Sequence, residues 1–402
     1  MHRQLLALWS LFAGIAILLV GHGLQLSLLP LRAETLGWTS SQVGWTSSLY
    51  FAGFLLGCYA VPNLVRAVGH IRVFTVLTAM MTAALLGISL IDKLGAWLVL
   101  RFLIGFCASG LYLVVESWLN EEVSNANRGS LLSVYTVIVL LSMAGGQMLL
   151  NVAGPDSYKI LVIAASCVAL AAVPVGLTRI RQPGEVPHAS FSPWLVVRAS
   201  RVAALSSLVA GVATGCFYGL GSYYGKQVNL DVQAISFMMA GGILGGALFQ
   251  WPLGKISDSL DRRKVILAAM LGGVAVCTVA TMVAADVVPY LFFLFGGCVM
   301  PIYSLSLAHA ADNVESSFLE IGTGILILNA AGATVGPLFA SLAMEIFGIG
   351  AFFVFCAAIL ALGAVGTLIM ILRRPALRPH FAPFEIATTE SAQGAIEFDP
   401  RS

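Results

Sequence analysis

Long apolar runs, separated by short polar connections, make up most of this chain. Twelve of the runs hold about 20 residues or more, the length that a helix needs to cross a hydrocarbon core of about 30 Å. They lie at 8–30, 42–62, 72–91, 97–119, 130–152, 159–178, 202–224, 233–253, 265–285, 288–310, 321–345 and 349–372. The pattern therefore predicts an all-α polytopic membrane protein with twelve transmembrane helices.

The runs divide into two sets of six around a longer polar connection. The segments VRAVGHIR at 65–72 and SDSLDRRK at 257–264 lie at matching places in the two sets, and so do Tyr112 and Tyr303. This agreement in register indicates a duplication, and it predicts two six-helix bundles related by pseudo-two-fold symmetry. The predicted units are an N-terminal bundle at 1–178, a cytoplasmic linker at 179–201, a C-terminal bundle at 202–372 and a disordered cytoplasmic tail at 373–402.

Charged residues are too scarce to cover a soluble globule of this size. They make up 10% of the 402 residues, whereas a soluble protein carries about a quarter. The solvent for most of the surface is therefore lipid. A net charge of +2 without a basic tract argues against nucleic acid as a partner. All seven cysteines fall within the apolar runs, so we expect neither a metal site nor a cofactor.

The positions of the cations predict an orientation. If the N-terminus is cytoplasmic, sixteen of the 21 Lys and Arg residues fall in cytoplasmic segments, Arg101 falls within a span, and four fall in outer segments, namely Arg32, Lys93, Lys159 and Lys226. Cytoplasmic loops of membrane proteins carry such an excess of cations. We therefore expect an integral protein of the bacterial cytoplasmic (inner) membrane with both termini in the cytoplasm.

The densest charge cluster, GKISDSLDRRKV at 254–265, falls between the eighth and ninth predicted helices. It resembles the signature hairpin of the major facilitator superfamily, and RFLIG at 101–105 resembles that family's motif on the fourth helix. The stretches GLQLSLLPLRAETLGW, GCYAVPNLVRAVGHIR and ESWLNEEVSNANRG resemble the bacterial YcaD-like branch. The resemblance covers residues 1–372, and it implies a twelve-helix transporter of small solutes. The matching hairpin residues are Gly254, Asp258, Arg262 and Arg263, whereas Ser259 and Asp261 depart from the pattern.

For this hairpin, two interpretations stay open. Its charges either form contacts that make and break during gating, or only anchor the loop on the cytoplasmic side. The equivalent hairpin of the first half has Arg66 where the family has an aspartate. We therefore expect Arg66 and Arg72 to face Glu315 or Glu320 near the start of the eleventh helix, as an inverted charge pair.

The fourth predicted helix carries its polar residues on one arc of about 100°. Arg101, Tyr112 and Glu116 lie on this arc, and ionisable groups within a membrane cost about 3 kcal/mol each on insertion scales. Arg101 is either an anion or proton-relay partner in a central pathway, as the family motif implies, or part of a structural ion pair. For Glu116, a helix-end or gating role is favoured over a direct substrate contact.

Further polar residues interrupt the apolar runs. Either histidine could carry a coupling proton, although a lone histidine in a helical bundle is commonly neutral and hydrogen-bonded. The others could line a pathway, or join helices, or belong to an interfacial aromatic belt. These candidates are His22, Gln25, Gln147, Tyr218, Tyr303, His309 and Asn329.

Together, these patterns predict a secondary active transporter that moves a small solute by alternating access, with the proton as the expected coupling ion and a monomer as the expected state. Arg101 favours an anionic or zwitterionic solute. A membrane sensor or scaffold that keeps the transporter fold is the alternative. An enzyme is not expected, because the sequence holds no HExxH, GxSxG or Asp-rich metal motif and no ATP-binding motif.

Overall fold

The computed structural model describes residues 2–122, 128–177, 193–312 and 318–373 of the chain. Side chains are described for 9–119, 134–177, 193–312 and 320–373. The predicted partner Glu315, the predicted linker up to residue 192 and the predicted tail from residue 374 lie outside the described residues.

Thirteen α-helices form the described part of the chain, and twelve of them are long and apolar enough to cross a membrane. This confirms the predicted number of spans. The thirteenth, α7, is a seven-residue helix at the end of the predicted linker, which the sequence reading missed because one short turn carries no long apolar run. The helices are α1 (His2–Thr35), α2 (Ser40–Val68), α3 (His70–Leu90), α4 (Leu94–Glu122), α5 (Arg128–Met148), α6 (Tyr158–Gly176), α7 (Pro193–Ala199), α8 (Arg201–Gln227), α9 (Val232–Ser259), α10 (Arg262–Ala280), α11 (Val288–Ala311), α12 (Phe318–Phe347) and α13 (Ala351–Arg373), with short 3₁₀ turns at Leu149–Asn151 and Ala285–Val287.

The helices pack as two bundles with the same internal arrangement. In the first bundle α1 packs on α5 and α6, α2 packs on α4, and α3 packs on α4 and α6. In the second bundle α8 packs on α12 and α13, α9 packs on α11, and α10 packs on α11 and α13. Each pair of the first bundle therefore has its counterpart in the second, which confirms the predicted two-bundle fold with pseudo-two-fold symmetry.

Among the described helices, four pairs make the main contacts between the two bundles. The most extensive contact is between α2 and α12, followed by α5 with α9, α1 with α8, and α2 with α8. One end of the molecule carries Glu34–Thr39, Gln227–Asp231 and Glu345–Gly348, and we call it the predicted outer end, because the distribution of cations predicts that it faces away from the cytoplasm. The opposite end, with the α2–α3 and α9–α10 connections, is the predicted inner end.

Glycines let α2 and α4 approach until their backbones touch. Gly53 lies against the carbonyl oxygen of Phe102, and Gly105 lies against the carbonyl oxygen of Tyr50, so neither has room for a Cβ. In the second bundle Gly245 and Gly296 make the same approach between α9 and α11. In lipid, helices associate through close packing of small residues, which explains why glycine is placed at these crossings.

We predict that Gly105→Ala lowers the thermal stability of the purified protein. The added methyl group would meet the Tyr50 carbonyl oxygen and force α2 and α4 apart, at a cost of about 1–3 kcal/mol. Gly145→Ala is the matched control, because Gly145 lies in α5 with open space around it and alanine favours a helix interior. Melting curves in detergent measure both. Equal melting temperatures for the two variants would contradict the proposed role of the crossing.

Candidate functional site

A cavity lies between the two bundles, halfway along the helices, with an empty volume of about 500 Å³ that includes space open to solvent. The first bundle contributes an aromatic wall from α1, α2 and α4. The second bundle contributes α8 and α12. The first-bundle lining is His22, Leu26, Tyr50, Phe51, Phe54 and Tyr112, and the second-bundle lining is Thr214, Tyr218, Leu326, Asn329, Ala330 and Ala333.

Behind the aromatic wall, a buried polar network joins α1, α2 and α4. Arg101 Nη1 donates to Gln25 Oε1 at 3.1 Å, and Arg101 Nε lies 3.4 Å from the carbonyl oxygen of Thr46. The guanidinium also lies over the ring of Tyr50, 4.8 Å from its centroid. Gln25 Nε2 lies 3.4 Å from His22 Nδ1, and the other ring nitrogen of His22 lies 3.2 Å from the Tyr50 hydroxyl. Arg101 is 1% exposed, so protein groups rather than water satisfy it.

The chemistry of the guanidinium determines which groups donate and which accept the hydrogen bonds of this network. Arginine only donates hydrogen bonds, so the oxygen of the Gln25 amide must face Arg101 and its nitrogen must face His22. That nitrogen is a donor, and His22 Nδ1 must therefore accept. The proton of a neutral His22 then sits on Nε2 and is donated to the Tyr50 oxygen. Arg101 thus holds His22 in one neutral tautomer through Gln25.

Tyr112 and Glu116 occupy neighbouring turns of α4 but different surroundings. Tyr112 lines the cavity and meets the edge of the His22 ring, with the ring centroids 5.7 Å apart. Glu116 is 3% exposed and accepts a hydrogen bond from the Tyr135 hydroxyl of α5 at 3.3 Å. Glu116 is absent from the cavity lining, and it ties α4 to α5.

The remaining candidates fall into two groups. Tyr218 and Asn329 line the cavity, and Asn329 Nδ2 also donates to the Ser207 carbonyl oxygen at 3.1 Å, which links α12 to α8. Away from the cavity, Gln147 Nε2 donates to the Gly23 carbonyl oxygen at 2.8 Å and joins α5 to α1. Tyr303 is buried in an apolar cluster. His309 lies at the end of α11 beside Asp261 and Arg263.

Several lining residues were not among the sequence candidates. Tyr50, Phe51 and Phe54 form most of the aromatic wall, and Thr214 and Ala333 face it. An aromatic residue in an apolar run has the same sequence signal whether it faces a cavity or lipid. The sequence offered one hint, because Tyr50 carries a hydroxyl group within an apolar run, three residues before Gly53.

At the predicted inner end, Arg262 ties three helices of the second bundle together. Its guanidinium is 2.7 Å from Asp312 Oδ2, 3.1 Å from Asp258 Oδ1 and 2.8 Å from the Ser257 hydroxyl oxygen. Gly254 lies buried one turn before Ser257, and its carbonyl oxygen accepts a hydrogen bond from the Ser257 hydroxyl at 2.7 Å. The described contacts of the matching hairpin residues thus lie within one bundle, and their gating role stays a prediction.

Arg263 makes a separate ion pair beside this clamp. Its Nη2 lies 2.7 Å from Asp261 Oδ2, and Asp261 also caps α10 by accepting from the Arg263 backbone N–H at 3.0 Å. Partial burial raises the pKa of Asp261, but the hydrogen bonds and charge of Arg263 outweigh burial and hold the pKa below its ordinary value. Asp261 therefore stays ionised when the surrounding solution is mildly acidic.

The corresponding hairpin of the first bundle is arranged differently. Arg66 donates a hydrogen bond to Asn63 Oδ1 one turn earlier on α2, and Arg72 is exposed on α3. Glu320 lies half-buried in the first turn of α12. The expected pairing of Arg66 and Arg72 with Glu315 or Glu320 stays a prediction.

Hydrogen bonds between the bundles gather at the predicted outer end, among the side chains that the structure describes. Glu345 of α12 accepts from the Ser41 backbone N–H at 3.0 Å and from the Thr39 hydroxyl at 3.3 Å. The Tyr223 hydroxyl lies 3.3 Å from that of Ser40. Two buried bonds lie deeper, from Ser47 to the Gly219 carbonyl and from Ser222 to the Ser27 carbonyl, whereas the bond from Asn151 to Ser236 lies at this end, where Asn151 is exposed.

The chain matches the family model of the Major Facilitator Superfamily over residues 11–225 and 203–396. It belongs to that superfamily. An uncharacterized MFS-type transporter of Enterobacter sp. (strain 638) is 27% identical over 376 residues, which cover 92% of this chain and 96% of the relative. The uncharacterized MFS-type transporter YcaD of Salmonella typhimurium is 26% identical over 377 residues, with the same shares covered. The resemblance of the motifs is thus confirmed.

Solved structures of the superfamily share this fold. The nucleoside transporter NupG superposes with a TM-score of 0.78 at 11% identity, covering 91% of this chain and 99% of NupG. A bacterial homologue of the human lysosomal transporter Spinster, in an inward-facing and unoccupied conformation, has a TM-score of 0.66 at 14% identity, with 99% of each chain covered. Membership of this family, together with the twelve apolar helices, makes the chain an integral membrane protein of a transporter superfamily, and the solved structures show that it shares their fold.

We predict that Gln25→Leu lowers thermal stability and loosens the packing of α1 against α4. Leucine removes the acceptor of Arg101 and the donor to His22, and a buried charged group left without its partner costs about 1–3 kcal/mol or more. Gln233→Leu, on the exposed surface of α9, is the matched control and should melt like wild type. If both variants melt like wild type, the network does not hold these helices together.

We predict that Asp261→Asn destabilises the protein at neutral pH and progressively less as the pH falls. Asparagine can still cap α10 but cannot pair with Arg263. Because the folded pKa lies below the unfolded one, the carboxylate contributes stability above the unfolded pKa and loses it as the pH falls through the folded pKa. Melting temperatures across a pH series measure this difference. The control is Asp231→Asn, at the cap of α9 and without a described ion pair, which should show a smaller difference at neutral pH.

Proposed function

We propose that this MFS protein is a secondary active transporter that moves a small solute across the bacterial inner membrane by alternating access, driven by a proton gradient, with both termini in the cytoplasm. The observation that carries the proposal is the central cavity, whose walls come from both bundles. Binding sites between paired bundles near the membrane midplane are the recurrent plan of secondary transporters.

The hydrogen bonds at the predicted outer end support a closed gate on that side. Glu345 caps the N-terminus of α2 from the opposite bundle, where a carboxylate satisfies backbone N–H groups that the helix leaves unpaired. Such a bond exists only while the bundles touch at this end. Opening the cavity outward therefore requires the Ser41 N–H to lose its Glu345 acceptor, while the capping box that Thr39 and Gln42 form within α2 stays in place.

Proton coupling is supported by buried groups that can exchange a proton. Among the described side chains, Glu116 is the most deeply buried carboxylate, at 3% exposed. It lies one turn from the cavity residue Tyr112. His22 is held in a neutral tautomer while the bond from Arg101 to Gln25 persists. Both observations support Glu116, rather than His22, as the proposed carrier of the coupling proton in this state. The Escherichia coli protein FucP, a fucose:proton symporter that shares the fold at a TM-score of 0.57 and 13% identity, illustrates such coupling in the superfamily.

The alternative function, a membrane sensor or scaffold, leads to different expectations for the same structure. A protein that kept the fold without transport needs the buried network for stability only. Neither a proton gradient nor a solute would then change how the bundles meet at the predicted outer end.

We predict that Glu345→Ala shifts the protein toward an outward-open arrangement. Loss of the inter-bundle cap removes about 1 kcal/mol or less, which corresponds to a shift of up to roughly fivefold between the two arrangements. Spin labels at Thr35 and Asn229, exposed on the two bundles at this end, report the change in liposomes as a longer distance population. Asp286→Ala, exposed at the same end within the second bundle, is the control and should leave the distances unchanged.

The same labelled protein tests the transport cycle. Alternating access with proton coupling predicts that imposing a pH gradient redistributes the short and long populations, and that Glu116→Gln removes this response. A single fixed distance under every gradient would favour the sensor.

A further inference from the structure

We propose that the central cavity takes an uncharged, flat, ring-shaped solute that presents a hydrogen-bond donor to Asn329. This inference rests on the proposed transport function and names its substrate class. It departs from the anionic or zwitterionic solute that Arg101 favoured in the sequence.

The first step is the charge of the lining. Among the residues that the structure describes, the cavity lining includes no aspartate, glutamate, lysine or arginine, and His22 is held neutral by Gln25. A charged solute that leaves water for such a chamber loses its hydration without gaining an ion pair or a set of charge-assisted hydrogen bonds. The lining therefore discriminates against ions of either sign.

Arg101 does not restore a site for an anion. Its Nη1 is bound to Gln25, its Nε faces the Thr46 carbonyl, and its planar face lies on Tyr50. The ring of Tyr50 thus separates the guanidinium from the cavity. The same positive charge behind the ring also opposes an organic cation in the cavity, because the two positive charges would repel each other across the Tyr50 ring.

The aromatic lining of the cavity favours a flat, ring-shaped solute. Tyr50, Phe51, Phe54 and Tyr112 line the cavity from the first bundle, and the rings of Tyr50 and Phe51 meet edge to face. Across from them, α12 presents the small side chain of Ala330 within the same lining. Rings stack in offset or edge-to-face arrangements that each contribute about 0.5–1.5 kcal/mol beyond area burial.

The polar atoms of the second bundle set the orientation of the solute. The Thr214 hydroxyl donates to the Ala210 carbonyl oxygen at 2.9 Å, and Asn329 Nδ2 donates to Ser207. That bond fixes which end of the Asn329 amide is oxygen, and Oδ1 has no described partner. One N–H or O–H group on a ring-shaped solute would therefore bind Oδ1.

Four small probe compounds, each a six-membered ring with one substituent, test separately how charge and flatness of the solute affect binding. Benzamide is neutral and flat, benzoate is its anionic counterpart, benzamidine is its cationic counterpart, and cyclohexanecarboxamide is neutral but puckered. Each is added to the full-length protein in detergent at equal concentration while the melting temperature is recorded. We expect benzamide to raise the melting temperature by about 2 °C when it exceeds its dissociation constant about tenfold, and each of the other three to raise it by less than half as much.

Variants then locate the response. Asn329→Leu and Phe54→Leu should each reduce the shift from benzamide at least threefold, whereas Phe237→Leu, the same exchange on the exposed surface of α9, should preserve it. The shift is measured from each variant's own melting temperature, so a change in basal stability does not mimic a loss of binding.

The outcomes separate the substrate class from the transport function. A larger shift with benzoate, benzamidine or cyclohexanecarboxamide, or no shift with any probe, overturns the proposed class. A shift that Phe54→Leu and Asn329→Leu leave intact overturns the site. In either case the spin-label distances under a pH gradient still decide transport, because that measurement uses no ring compound.

Discussion

The buried guanidinium of Arg101 is the constraint around which the first bundle is organised. Placing an ionised group within a membrane span costs about 3 kcal/mol on insertion scales, so the helices around it must supply partners. Gln25 from α1, the Thr46 carbonyl and the Tyr50 ring from α2 do so. Those partners fix the rotation of three helices at once, and the same rotation turns Tyr50 and Tyr112 toward the cavity.

The contacts of Arg101 in the folded chain also change the function that its position in the sequence suggested. In the sequence it is an intramembrane cation on a polar arc, which favours an anionic ligand. In the folded chain two of its three nitrogens donate hydrogen bonds within the bundle, and its effect reaches the cavity through Gln25, His22 and Tyr50. We therefore propose that Arg101 is a positioning residue that sets the tautomer of His22 and the placement of the aromatic wall.

The fold was largely predictable, whereas the site was predictable only in part. A helix that crosses lipid must satisfy its backbone internally and must be long and apolar, so twelve runs could be counted directly. His22, Gln25 and Asn329 could be singled out because a polar group in an apolar run needs a partner. Phe51 and Phe54 could not, since a ring toward lipid and a ring toward a cavity look alike, and α7 lacked any long pattern. Which polar groups meet depends on helix rotation, which close glycine contacts such as Gly105 against Tyr50 determine.

Polar contacts within the bundles are stronger than the polar contacts between the bundles at the predicted outer end, as the proposed alternating-access cycle requires. Within the bundles, Arg101 and Arg262 are each 1% exposed and held by several partners, so breaking either set would leave a buried charge unpaired at a cost of several kcal/mol. Between the bundles at the predicted outer end, exposed Glu345 and hydroxyl groups form bonds that water can replace, each contributing about 1 kcal/mol or less. Because the contacts inside the bundles are stronger than the exposed contacts at the predicted outer end, the proposed cycle can separate the bundles there without unfolding either one.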